Sequence, residues 1–132
     1  MSCIFCNIIA RQLPGYIIAE DEDTIVFIAL EGHPIVAPKE HIADIFGLND
    51  RLSSIIMKIA REVARATKEG LAADGIYITQ TNGAAAGQSV FHYHIHVYPK
   101  WNDGRRLGRD DESRKRTMAQ VRTSLQRQTW PE

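Results

Sequence analysis

The sequence predicts an α+β domain built on a five-stranded antiparallel sheet. Three observations carry that prediction. Runs rich in β-branched and aromatic residues gather before residue 38 and again after residue 75. One long stretch between them repeats its apolar residues at helical spacing. Strands and helices do not alternate in the regular way that a parallel sheet with crossover helices requires.

Each element has a local reason. CIFCNIIA at the start reads as one or two helical turns, stopped by the turn signal Leu13-Pro14-Gly15. Strands at 16–19 and 24–30 flank the acidic segment EDED and form a hairpin. A third strand covers 33–37 and closes at Pro38-Lys39-Glu40-His41, with a helical turn at 42–46 behind it. The clearest helix runs over 50–69: Leu52, Ile55, Ile56, Ile59, Val63 and Ala66 share a face, Asn49 or Asp50 caps the start, and Gly70 suits the stop. A fourth strand covers 75–80, TNGAAAG is a small-residue loop, and a fifth strand covers 90–98. Pro99, which has no N–H to donate, ends it. Residues 111–128 form a last helix with Met118, Val121 and Leu125 on one side. This reading divides the chain into a domain at 1–100 and a helical C-terminal extension at 101–132.

At 132 residues and 44% hydrophobic, the chain suits one real core. Its sixteen basic and sixteen acidic residues cancel, so no global field recruits nucleic acid or an acidic membrane. The balance is uneven: residues 101–132 hold eight Lys/Arg against five Asp/Glu, a net of +3. No apolar run approaches the roughly 20 residues that span a bilayer, and MSCIFCNIIA lacks the basic start and long apolar core of a secretory signal. The expectation is a cytoplasmic protein whose cysteines, Cys3 and Cys6, stay reduced.

The chemistry concentrates in GQSVFHYHIHVYPK, residues 87–100. On a strand, His92, His94 and His96 line one face while Phe91, Tyr93, Ile95 and Val97 fill the other. Three imidazoles in register must each be desolvated and paired. Two tasks fit, a metal cluster or a phosphate site, and the spacing does not choose between them. The C-x-x-C of Cys3 and Cys6 is likewise open between a redox pair, half of a zinc site and coincidence.

Three blocks in order, CIFCNII, EGHPIVAPKEH and AGQSVFHYHIHVYPK, resemble the histidine-triad (HIT) family over residues 3–100. The most specific block is the H-x-H-x-H run with apolar residues between. The resemblance implies a five-stranded sheet with two main helices, a homodimer, and hydrolase or transferase chemistry on a nucleotide through a covalent histidine intermediate. By the family's motif His94 is the nucleophile, His96 bonds the phosphate or leaving group, and His92 completes the triad. Gln88 and Ser89 match positions that donate to phosphoryl oxygens, and His33 falls where the family carries a histidine beside the site. It either orients a neighbouring imidazole or ends a turn. The resemblance also assembles Cys3, Cys6, His41 and His92 into a four-ligand structural zinc site, which leaves no open position for catalysis.

The pattern departs from the family around the nucleoside. Where members commonly read F-x-D-I-x-P-x-x-P-G-H, this chain reads FIALEGH, so Ala29 stands at the aspartate that grips the ribose hydroxyls. A polar amide of the family falls near Thr81, with Asn82 beside it. Phe5, Ile25 and Phe27 are candidates for an apolar slot around a base, ordinary core being the alternative for each. Two rivals to the enzyme remain: a non-catalytic nucleotide-binding or partner-binding module, and a protein that binds metal through the triad itself.

Overall fold

The computed structural model describes residues 3–127. Five strands form one antiparallel sheet: β1 (Ile17–Glu20), β2 (Thr24–Ile28), β3 (Pro34–Pro38), β4 (Gly75–Thr79) and β5 (Ile95–Lys100). Their order across the sheet is β1-β2-β3-β5-β4. Register aligns Ile17, Phe27, Ile35, His96 and Thr79 in one row across all five.

Three helices cover the sheet: α1 (Ile4–Ile9), α2 (Asp50–Gly70) and α3 (Asp111–Gln126). The period of two along each strand divides the apolar residues into two layers. On one face Val26, Ile28, Val36, Tyr93, Ile95 and Val97 pack with Ile56, Ile59 and Val63 of α2 and with Val121 and Leu125 of α3. On the other, Ile25, Phe27, Ala29, Ile35 and Ala37 form a smaller layer with Phe5 and Ile8 of α1. The triad histidines fall on this second face.

Local chemistry explains the boundaries. The Asn49 side chain accepts from the Leu52 N–H at 2.8 Å and starts α2. Asp21 accepts from the N–H groups of Asp23 and Thr24, which builds the first hairpin turn. Arg122 of α3 donates to the carbonyls of Ile17 and Ile18, so α3 covers the outer edge of β1.

Three expectations need correction. The last strand begins at Ile95, not 90, because its ladder with β3 is only two rows long, Ile35↔His96 and Val36↔Ile95. Before it the chain bends over 90–92, and the Tyr93 N–H donates to the Ile42 carbonyl at 2.6 Å instead. Nor does Pro99 end the strand, for it is paired with Ile76. Past the two β3 rows β5 borders β4 alone, and a residue without N–H is tolerated there. Gly70, finally, is the last residue of α2 rather than its left-handed stop; the positive φ belongs to Ala72. A Cβ on Gly70 would lie 2.7 Å from the Gln120 carbonyl oxygen, so the glycine is there for α3 to approach.

Candidate active site and metal cluster

Four residues from three separate stretches of the sequence converge at the start of α1. Ligand atoms of Cys3, Cys6, His41 and His92 all lie within 4.8 Å of one another. The His92 Nδ1 is 3.5 Å from the Cys3 sulfur and 3.6 Å from the Cys6 sulfur, and the His41 Nδ1 is 3.3 Å from Cys6. A tetrahedral zinc with bonds of about 2.3 Å to sulfur and 2.0 Å to nitrogen would hold those atoms roughly 3.5 Å apart, so the donor set fits. The outer contacts fit too. The His92 Nε2–H donates to the Pro38 carbonyl at 2.7 Å, leaving Nδ1 unprotonated toward the sulfurs. Burial lowers the His92 pKa, which keeps the ring neutral as a ligand must be. Burial and the neighbouring Cys3 push the Cys6 thiol up, a direction that a cation between the two would reverse.

His92 is fully buried, both its ring nitrogens are committed in this way, and it does not line the cleft that His94 faces. Its backbone does something else. The His92 carbonyl accepts from the His94 Nδ1–H at 2.7 Å. That bond fixes the His94 tautomer with a lone pair on Nε2, and burial lowers the pKa of the ring. Phe5 packs edge-on against His94 with centroids 4.8 Å apart, and His96 lies at the same distance on the other side.

His96 Nδ1 is 2.8 Å from Nε2 of His33, and the His33 ring lies 3.9 Å from that of Tyr98. Burial first, then the nearby His96 and His94, push the His33 pKa down to about 3. His33 is therefore neutral, and so is His96, whose pKa burial also lowers.

His94 and His96 face a cleft of about 560 Å³. Phe5, Ile8, Phe27 and Ile35 make its apolar floor and wall, and Ser89, Thr79 and Thr81 rim the end near His96. Other expected residues sit elsewhere. Ile25 is fully buried beneath the cleft, as its place in the α1-side layer dictates. Asn82 accepts from the Ile45 N–H and donates to Gln80, bracing two loops. The buried Gln88 accepts from the Gly83 N–H and donates to the Ala43 and Val90 carbonyls, which exhausts its amide donors. Its side chain holds the glycine loop in shape, and a phosphate would not find a free N–H on it. Tyr98 and Arg114 also line the cleft. Nothing in the sequence marked either: Tyr98 reads as one more strand residue, and Arg114 belongs to a helix whose docking only the fold reveals.

A family model described as HIT domain matches residues 10–103. The chain belongs to the HIT family. Among relatives of this HIT protein, Protein hit of Bacillus subtilis is 36% identical over 81% of this chain and 77% of its own. Adenosine 5'-monophosphoramidase hnt1 of Schizosaccharomyces pombe is 34% identical over 82% and 81%. A zinc-bound histidine triad family protein from Mycobacterium smegmatis superposes with a TM-score of 0.86, at 34% identity over 96% of this chain and 95% of that one. The HIT fold thus accounts for the five-stranded antiparallel sheet. Among the described residues no helix is long and apolar enough to cross a membrane.

Proposed function

We propose that this HIT protein is a nucleotide hydrolase or transferase that works at an α-phosphate through a covalent nucleotidyl-His94 intermediate. The observation that carries the reading is the tautomer of His94. Its Nδ1–H is spent on the His92 carbonyl, so the Nε2 lone pair stands in the cleft on a neutral ring. The fission-yeast relative, named a monophosphoramidase, supports a phosphoramidate substrate, and a dinucleoside polyphosphate has the same reacting centre.

The steps balance within the site. His94 Nε2 attacks the α-phosphorus, and the bond from phosphorus to the leaving nitrogen or oxygen breaks. His96, neutral in the empty cleft, takes up a proton as the anionic substrate binds beside it, gives its Nε2 proton to the leaving group and returns to the neutral ring; the proton of the His33–His96 bond is then the one on His96 Nδ1, donated to His33 Nε2. Water then attacks phosphorus and passes its proton back to His96, while His94 leaves as the neutral tautomer it began as. A good transfer catalyst needs such a nucleophile and donors aimed at the phosphoryl oxygens. Ser89 is the side chain that this reading assigns there.

Zinc is the metal assigned to Cys3, Cys6, His41 and His92, with four protein ligands and a structural role. The partner this reading carries is a second copy of the chain, since β4 is an edge strand with Tyr77 and Ile78 exposed.

His94→Ala tests the mechanism. Turnover of an adenosine 5'-phosphoramidate should fall by at least about a thousandfold, with AMP still bound, because the covalent route is lost while the cleft remains. Activity within tenfold of wild type would refute the mechanism. Tight AMP binding by a wild-type protein that turns nothing over would favour the binding module.

A further inference from the structure

Arg114 is the permanent cation that lines the cleft among the described residues. It is the fourth residue of α3, and its side chain is 15% exposed, unusually little for an arginine. The guanidinium lies over the Tyr16 ring at 4.8 Å. Its one carboxylate contact is with Asp111 at 3.4 Å, and Asp111 is itself largely in solvent, where such a pair holds weakly. The buried Arg114 Nε has no hydrogen-bond partner. A buried donor with nothing to donate to is costly, so internal hydrogen bonds do not explain why this arginine is held here.

Its position follows from the register. His96, Ile35, Phe27 and Ile17 form one row from the triad toward the edge of the sheet. Tyr16 stands one residue beyond that row, its carbonyl accepting from the Ile28 N–H at 3.0 Å. Arg114 therefore reaches the cleft from the β1 edge of the sheet, with β2 and β3 between it and His96, and Ala29 and Leu30 line the same cleft. A nucleotide with its α-phosphate at His94 and its base on the apolar floor points its sugar toward this edge. Neutral hydroxyls do not need a guanidinium; a phosphate matches its planar fork of donors.

We propose that Arg114 receives a second anionic group, so that the cleft prefers nucleotides that carry a 2'- or 3'-phosphate on the sugar besides the phosphate at the triad. The proposal rests on the nucleotide reading given above. Ala29 is consistent with it, because a carboxylate at that point of the rim would repel such a phosphate. Glu31 also lines the cleft, but it is exposed and its charge acts on His96 and Tyr98.

Calorimetric binding of AMP, adenosine 2',5'-bisphosphate and adenosine 3',5'-bisphosphate to the full chain tests it. One bisphosphate should bind at least about tenfold more tightly than AMP, as a charge-assisted contact allows, and the two arms show which hydroxyl bears the phosphate. Arg114→Gln should bring that ratio to within about twofold, and Arg114→Lys, which keeps the charge without the fork, should retain part of it. A thermal melt of each variant reports whether α3 stays docked. Equal affinity for all three ligands in the wild type, or a preference that survives Arg114→Gln, would overturn the proposal. A preference without any turnover would leave it standing and remove the enzyme reading instead. AMP binding without a preference defeats this proposal alone, and failure to bind any of the three defeats both.

Discussion

At His33, burial and two neighbouring imidazoles act in the same direction, and the pKa falls to about 3. In the unfolded chain the same ring titrates near its ordinary value of about 6.5. Below that pH the unfolded state takes up a proton that the folded state refuses, so stability is complete above about 6.5 and drains away as the pH drops toward 3. His92, His94 and His96, all lowered by burial, add to the same trend. His33→Gln should therefore flatten the loss of the urea midpoint between pH 6.5 and 4, measured at matched metal content; an unchanged slope would mean that His33 titrates like a free imidazole. Much at this scale was legible in the sequence. Alternation alone put His94 and His96 on one face of the sheet. Ile25 and Gln88 were not legible, because their residue types suit a binding site and only burial shows that one is core and the other a brace.

Between elements, close approach decides what periodicity cannot. The helical repeat of 50–69 and the cap at Asn49 could be read directly, since both are local. The reason for Gly70 could not, because it lies in a carbonyl 50 residues away on α3. Gly70→Ala gains helix propensity but sets a methyl 2.7 Å from the Gln120 oxygen. The overlap is with backbone, so it should win by about 1–2 kcal/mol and force α2 and α3 apart. Gly75, where a Cβ meets nothing within 4 Å, is the control; its alanine variant should stay within about 0.5 kcal/mol of wild type. Equal denaturation midpoints for the two variants would show that α3 yields freely. The start of β5 escaped prediction for a similar reason. His92 and His94 have the alternation of a strand, but the partner beside them is the loop at Ile42 rather than β3.

Over the whole molecule the Cys3, Cys6, His41 and His92 donor set brings together three regions distant in sequence: α1, the segment after β3 and the approach to β5. Elemental analysis of protein purified without chelator or metal affinity should find one zinc per chain. Cys6→Ser should lose it and lower the melting temperature by at least about 5 °C, because metal binding here is also folding free energy. A metal-free wild type of equal stability would rule the cluster out as a zinc site. The four candidate ligands could be read from the sequence as a set only through family resemblance; their convergence is a property of the fold.

The bond from the His94 ring to the His92 carbonyl has a consequence for the order in which the molecule assembles. Cys3 and His92 meet at 3.5 Å but are 89 residues apart along the chain. A contact that encloses so long a loop forms late, after nearer pairings have shortened the search. The hairpin of β1 and β2 and the long helix need no such help, whereas the clasp waits for β5 to find its place between β3 and β4. Cys3 and its neighbours in α1 are thus among the last residues to settle, and the His94 ring is aligned only when the two ends of that loop have met.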